Sequence, residues 1–240
     1  MPKYLDNSPL YSVVIEIRFT TQVPDDVVSG LLYSQIAASN TDVQSVSLPA
    51  SQLPLAMRQQ DPNLKYAPIQ RFVLPDRTIN VGSNVVSLEA NNGIKKKTYP
   101  GWEVFSQQFA DLLEKLTFVS QVERIGLRYV NFFHEEDFLS SLNVDLSTGW
   151  ESKGLENNTT IVFSVAREQL KARVTIASDA TIQDETGLKS GQIIDIDTFT
   201  DESIPLEDVA TKINDAHSLS KEIFYSLPAG DLLKRMGPHD

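Results

Sequence analysis

From Ser8 to Phe19 the chain reads SPLYSVVIEIRF, with Val13, Ile15, Ile17 and Phe19 apolar and Val14, Glu16 and Arg18 between them. A period of two predicts a strand with one buried face. Roughly a hundred residues later ERIGLRYVNFF repeats the pattern, with Ile125, Leu127 and Tyr129 alternating against Gly126 and Arg128. Both strands set an arginine immediately before an aromatic, Arg18 before Phe19 and Arg128 before Tyr129.

Between these strands the period changes. After Pro24, Val27, Val28, Leu31, Leu32 and Ile36 recur at helical spacing, and Asn40 to Asp42 end the helix. Val43 to Leu48 predicts a strand, and the span from Pro49 to Pro68, with its four prolines, predicts mostly irregular chain. QRFVLPDRTINVGSNVVSLEANNG then predicts two or three short strands, broken at Pro75-Asp76 and Gly82-Ser83 and ending at the turn dipeptide Asn92-Gly93. Trp102, Phe105, Phe109, Leu112, Leu113 and Leu116 form the stripe of an amphipathic helix.

The second half follows a similar order: the arginine-bearing strand over 122–134, a hairpin from 159–167 and 169–178, and a strand at GQIIDIDTFT. A closing helix opens at Ile204-Pro205, carries Val209, Ile213, Ala216, Ser220, Ile223 and Leu227, and stops before Pro228. Each half is therefore a long strand, a meander and a terminal helix, which suggests a duplication with halves 1–120 and 121–240. Hairpin-length connections predict an α+β fold, a mainly antiparallel sheet with about three helices on one face. No low-complexity linker divides it, so 1–240 is expected to be one cooperative unit.

Composition narrows the chemistry. The chain has no cysteine, which excludes disulfides, thiolate nucleophiles and cysteine-ligated metals, and it has three histidines. A net charge of -11 disfavours nucleic acid and anionic lipid as partners. From Asp179 to Asp240 there are 13 acidic and 5 basic residues, an excess that favours a basic protein partner. No signal-like or membrane-length apolar run occurs, so the cytoplasm is the expected location.

Four groups of residues invite a chemical reading. The first is Glu16, Arg18 and Arg128, with Asn131 placed on the Arg128 face. If the two strands are neighbours, Glu16 lies across from Arg128 beside the bare Gly126, and the bland reading is a cross-strand ion pair. The ligand reading is an anion groove lined by both arginines. Asp195 and Asp197, two apart on one strand face, could bind a divalent ion or act as an acid and base pair; alternation with isoleucine is also how a half-exposed strand is written. His134 to Asp137 (HEED) has poor metal geometry, because adjacent residues on a strand point apart. ETGLKSG lacks the spacing of a phosphate loop, Lys95 to Lys97 reads as a solvated hairpin, and His217 as a polar helix neighbour.

Ser8-Pro9-Leu10, Glu16-Ile17-Arg18-Phe19, PDRTINVG, YPGWEVFSQQF, LRYVNFF and AHSLSKEIFYSL occur in this order along most of the chain. Together they resemble an uncharacterised, sporadically distributed family of bacterial proteins with a leading Pro-Pro-Leu-x-Glu and a strand ending Glu-x-Arg-Phe. The chain departs from that pattern at Ser8 and Ser12. The resemblance implies no known reaction, and its sporadic occurrence implies an accessory or defence-type gene setting.

The expectation is therefore a non-enzymatic cytosolic binding protein with a protein partner and no cofactor. The alternatives are a metal-dependent hydrolase or nuclease using Asp195 and Asp197, and an anion or nucleotide sensor using the Arg18 and Arg128 face. An open sheet edge would suit pairing of two copies.

Overall fold

The alternating segment around Glu16 lies at the middle of a nine-stranded antiparallel sheet in the computed structural model of the protein, which describes residues 2, 4–62, 64–91, 98–135, 137–144 and 158–239. β1 (Tyr4–Leu5) and β2 (Leu10–Thr21) lead into α1 (Asp25–Ala37) and β3 (Gln44–Ser47). A 3-10 turn at Pro49–Gln52 and α2 (Leu55–Gln60) precede the meander β4 (Gln70–Val73), β5 (Thr78–Val81) and β6 (Val85–Asn91), which α3 (Trp102–Leu113) follows. The second half runs β7 (Val119–Phe133), β8 (Thr160–Arg167), β9 (Leu170–Asp184), β10 (Gly187–Thr200) and α4 (Val209–Ser226). α5 (Gly230–Arg235) and β11 (Pro238–His239) follow.

The helix starts obey their sequence signals. Pro24 stands at the N-cap position of α1, its carbonyl accepting from Val27 N at 2.9 Å, and Asp25 and Asp26 in the first turn complement the helix dipole. Contrary to expectation, the proline-rich span contains α2. That helix buries none of its residues and leaves Leu55 and Met57 exposed, so no apolar stripe announces it.

The sheet order is β3-β4-β5-β6-β2-β7-β10-β9-β8. In each half the leading strand lies beside the last strand of its own meander, and the earlier strands step outward. The two leading strands, β2 and β7, pair antiparallel with each other and form the seam. Glu16 is paired with Gly126 across it, and these are the equivalent positions of the repeated motif. The seam therefore carries a local two-fold relationship, with Arg18 and Arg128 on opposite sides of its axis.

Val13, Ile15, Ile17 and Phe19 on β2 are fully buried, and Ile125 and Leu127 meet them from β7. One continuous apolar core joins these strands to Val28, Leu32 and Ile36 of α1, Phe105, Phe109 and Leu112 of α3, and Val209, Ile213 and Leu219 of α4. Each such side chain contributes about 1.5–3 kcal/mol on burial, and the core does not divide at residue 120. Two buried hydroxyls, Thr198 on β10 and Ser220 on α4, lie 2.8 Å apart and satisfy each other within it. The chain ends are joined as well: β1 pairs with β11, and the rings of Tyr4 and His239 stack at 4.5 Å.

Candidate functional site

Alternation turns every second residue of the central strands away from the helices. On β2 these are Val14, Glu16 and Arg18; on β7, Arg124, Gly126 and Arg128; on β10, Asp195, Asp197 and Phe199; on β9, Lys171, Arg173 and Thr175. The result is a face ruled by arginine and carboxylate.

Glu16 sits at its centre. Its Oε1 accepts from Arg18 Nε at 2.8 Å along the same strand and from Arg124 Nη1 at 3.2 Å across the seam. Arg124 Nη2 donates onward to Asp197 Oδ2 at 3.2 Å, and its guanidinium lies 4.5 Å over the ring of Phe199. The guanidinium of Arg18 stacks over Tyr66 at 4.6 Å. Arg128 forms a separate bidentate pair, donating from Nε and Nη2 to the two oxygens of Asp195 at 2.9 and 2.6 Å. Burial pushes the Asp197 carboxyl above its ordinary value, although Arg124 and Arg128 pull it down. The hydrogen bonds from Arg128 to Asp195 push the Arg128 guanidinium up.

Several expectations are corrected by this geometry. Glu16 does not pair with Arg128: the register puts Gly126 opposite Glu16 and Val14 opposite Arg128, so Arg128 turns to β10 and Arg124 takes its place. Arg18 and Arg128 do not line one groove, since they stand four residue pairs apart along the seam, about 13 Å at strand rise. Asn131 is on the opposite face from Arg128, three residues along a regular strand; it is 5% exposed and its Nδ2 donates to the Ile194 carbonyl at 3.2 Å.

Asp195 and Asp197 do share a face, but each carboxylate is held by an arginine, which opposes capture of a divalent cation. In the HEED stretch, Arg235 donates to Glu135 Oε2 at 2.6 Å and the His134 ring makes a T-shaped contact with Phe132, while Glu136 lies outside the described residues. Lys95 to Lys97 and the Asn92-Gly93 turn also lie outside them. Among the described residues no three acidic or histidine side chains are grouped to hold a metal. ETGLKSG supplies the two-residue turn between β9 and β10, Glu185-Thr186, and the first residues of β10, where Lys189 pairs with Asp184.

A second polar group lies under the helices. The Tyr129 hydroxyl and His217 Nδ1 are 2.8 Å apart, and Tyr129 is also hydrogen-bonded to Tyr99. The His217 ring stacks on Trp102 at 4.0 Å, and Trp102 Nε1 donates to Asn214 at 3.0 Å. Burial first, and Lys221 second, push the imidazole down to about 4; burial pushes the Tyr99 phenol up to about 12 and Tyr129 well above its ordinary range. The chain is thus a neutral clamp between β7, α3 and α4. His217 lies one position off the apolar stripe of α4, and only the fold reveals its neighbours.

No protein-family model matches the chain, and no curated protein matches it.

Proposed function

We propose that this is a binding protein without catalytic activity, and that the arginine-bearing face over β7, β10 and β9 receives an acidic protein partner. The observation that carries the reading is the asymmetry of the Arg128–Asp195 pair: the guanidinium side chain is 55% exposed and its carboxylate partner 14%. The pair therefore presents its cation to solvent. Arg173, directly opposite Asp197 on β9, is exposed and makes no ion pair among the described residues. The late acidic excess, which alone favours a basic partner, includes Asp195 and Asp197, and on this face both are covered by arginine.

At physiological salt charges are screened over about 8 Å, so contact is governed by this face more than by the net charge of the whole molecule. The likeness of its motifs to a sporadically distributed bacterial family supports an accessory or defence-type gene neighbourhood, and the sequence's want of a signal-like apolar run supports a cytosolic setting. No described helix is long and apolar enough to cross a membrane.

The test compares the wild type with an Arg128→Glu/Arg173→Glu variant as bait in lysate of the source cell. An acidic protein retained by the wild type, lost from the variant and released by added salt is the expected result. Equal retention by both baits would remove this face as the contact surface. A second reading is a small anion held where Arg128 and Arg173 flank Asp197 on neighbouring strands. It is favoured instead if phosphate or a nucleotide raises the Tm of the wild type and not of the variant.

A further inference from the structure

The nine-stranded sheet ends on two edges that are not alike. β3 has four residues, all exposed, and Pro49 follows closely behind it, so it is too short to template a long pairing. β8 has eight residues, and from Thr160 to Ala166 it contains no charge, no proline and no break in its register with β9. These are the devices that normally keep an edge strand single.

The phase of the ladder shows which peptide groups are unused. Ser178 N donates to the Thr159 carbonyl at 3.0 Å, so Thr159, Ile161, Phe163 and Val165 turn their peptide groups toward β9. Thr160, Val162, Ser164 and Ala166 turn theirs outward, and among the described residues nothing pairs with them. The side chains of Ile161, Phe163 and Val165 pack only partly against the core, and Val162 is 48% exposed.

We infer that β8 pairs antiparallel with β8 of a second copy across a two-fold axis, so that the sheet continues from one chain into the next. Outward peptide groups must meet outward peptide groups, which restricts the register to even positions against even. The register that uses the whole strand sets Thr160 against Ala166 and Val162 against Ser164 of the second copy, with Phe163 facing itself on the axis. Ile161 then meets Val165, so the half-covered apolar row closes on its own complement. No like charges meet. Arg167 falls beside Thr159 of the second copy, and its guanidinium is held on the helix side by Glu222 at 2.6 and 2.8 Å. This self-complementarity singles out a second copy over a foreign peptide. The inference concerns the sheet edge and does not depend on the arginine face.

The test is the molar mass of the full chain in solution by light scattering and sedimentation, at up to about 100 µM. A dimer is expected. Val162→Pro removes an outward N–H that no described residue of the single chain uses, and Ser164→Lys adds charge beside the axis. Each should weaken dimerisation by about tenfold or more while the far-ultraviolet circular dichroism and the folded-state Tm of the monomer are retained. Because the chain has no cysteine, Phe163→Cys introduces a single thiol per chain at the axis, where facing Cα atoms of about 4.5 Å permit a disulfide. Oxidation should lock the Phe163→Cys dimer and should leave a Val165→Cys variant uncrosslinked. A monomeric wild type overturns the inference, as does a dimer that survives both edge variants or one that Phe163→Cys does not lock.

Discussion

A Cβ built on Gly126 would lie 2.8 Å from Nη1 of Arg124. The guanidinium thus occupies the space where any other residue would carry its side chain, and from there it bridges Glu16 and Asp197. Gly126→Ala should lift it away from both acids and cost about 1–2 kcal/mol in urea unfolding. Because the loss works through one side chain, Arg124→Met should cost much less in the Gly126→Ala background than alone; additive costs would refute the coupling.

Burial raises the Asp197 carboxyl above its ordinary value in spite of Arg124 and Arg128. Its raised folded-state value means that its contribution to stability is complete at low pH and is lost as pH rises through that value. Asp197→Asn should therefore unfold within about 1 kcal/mol of wild type at pH 7, with wild type losing ground to the variant as the acid range is left. Arg124→Ala, which leaves Asp197 without its bridging arginine, should cost more, about 1–3 kcal/mol. Equal losses at pH 7 would show that the bridging role is misassigned.

His217 gives the opposite dependence on pH. Its folded-state value near 4 lies below the ordinary 6.5, so its contribution is intact above pH 6.5 and is lost as the pH falls toward 4. Full protonation costs roughly 3 kcal/mol. Chemical denaturation from pH 7 to 4 should show the wild type losing stability more steeply than His217→Gln. The difference should be absent above pH 7, and parallel curves would refute the assignment.

Thermal-shift series with magnesium, manganese and zinc should leave the Tm unchanged, because Arg128 and Arg124 already occupy the carboxylates of Asp195 and Asp197. A rise in Tm that Asp195→Ala abolishes would reinstate a metal site.

Much of the fold is legible in the sequence because the buried face of each element leaves a period. The alternation of Val13, Ile15, Ile17 and Phe19 and the stripe through Phe105, Phe109 and Leu112 mark elements that bury those residues. α2 leaves no such mark. The outer part of the β9–β10 hairpin is also hard to read: Leu188 is 75% exposed and the segment alternates only weakly. The site was legible in kind and not in detail. Strand alternation places Glu16, Arg18, Arg128, Asp195 and Asp197 outward, but which acid meets which arginine depends on register. Arg124 stands in the same outward row as Gly126 and Arg128, but its role shows only in the seam register, which sets it opposite Arg18 and within reach of Glu16. Asn131 shows the converse error, a polar residue in the buried row whose amide finds a carbonyl there.

The Glu16–Gly126 pair at the axis also shows what the seam gains from being asymmetric. Two identical half-length chains joined at this seam would set each axial residue against its own copy, and a glutamate there would confront a second glutamate in direct cross-strand contact. In a single polypeptide the two positions can differ: one carries the acid, and the other has no side chain. The asymmetry makes room for an arginine that a perfectly symmetric assembly could not seat.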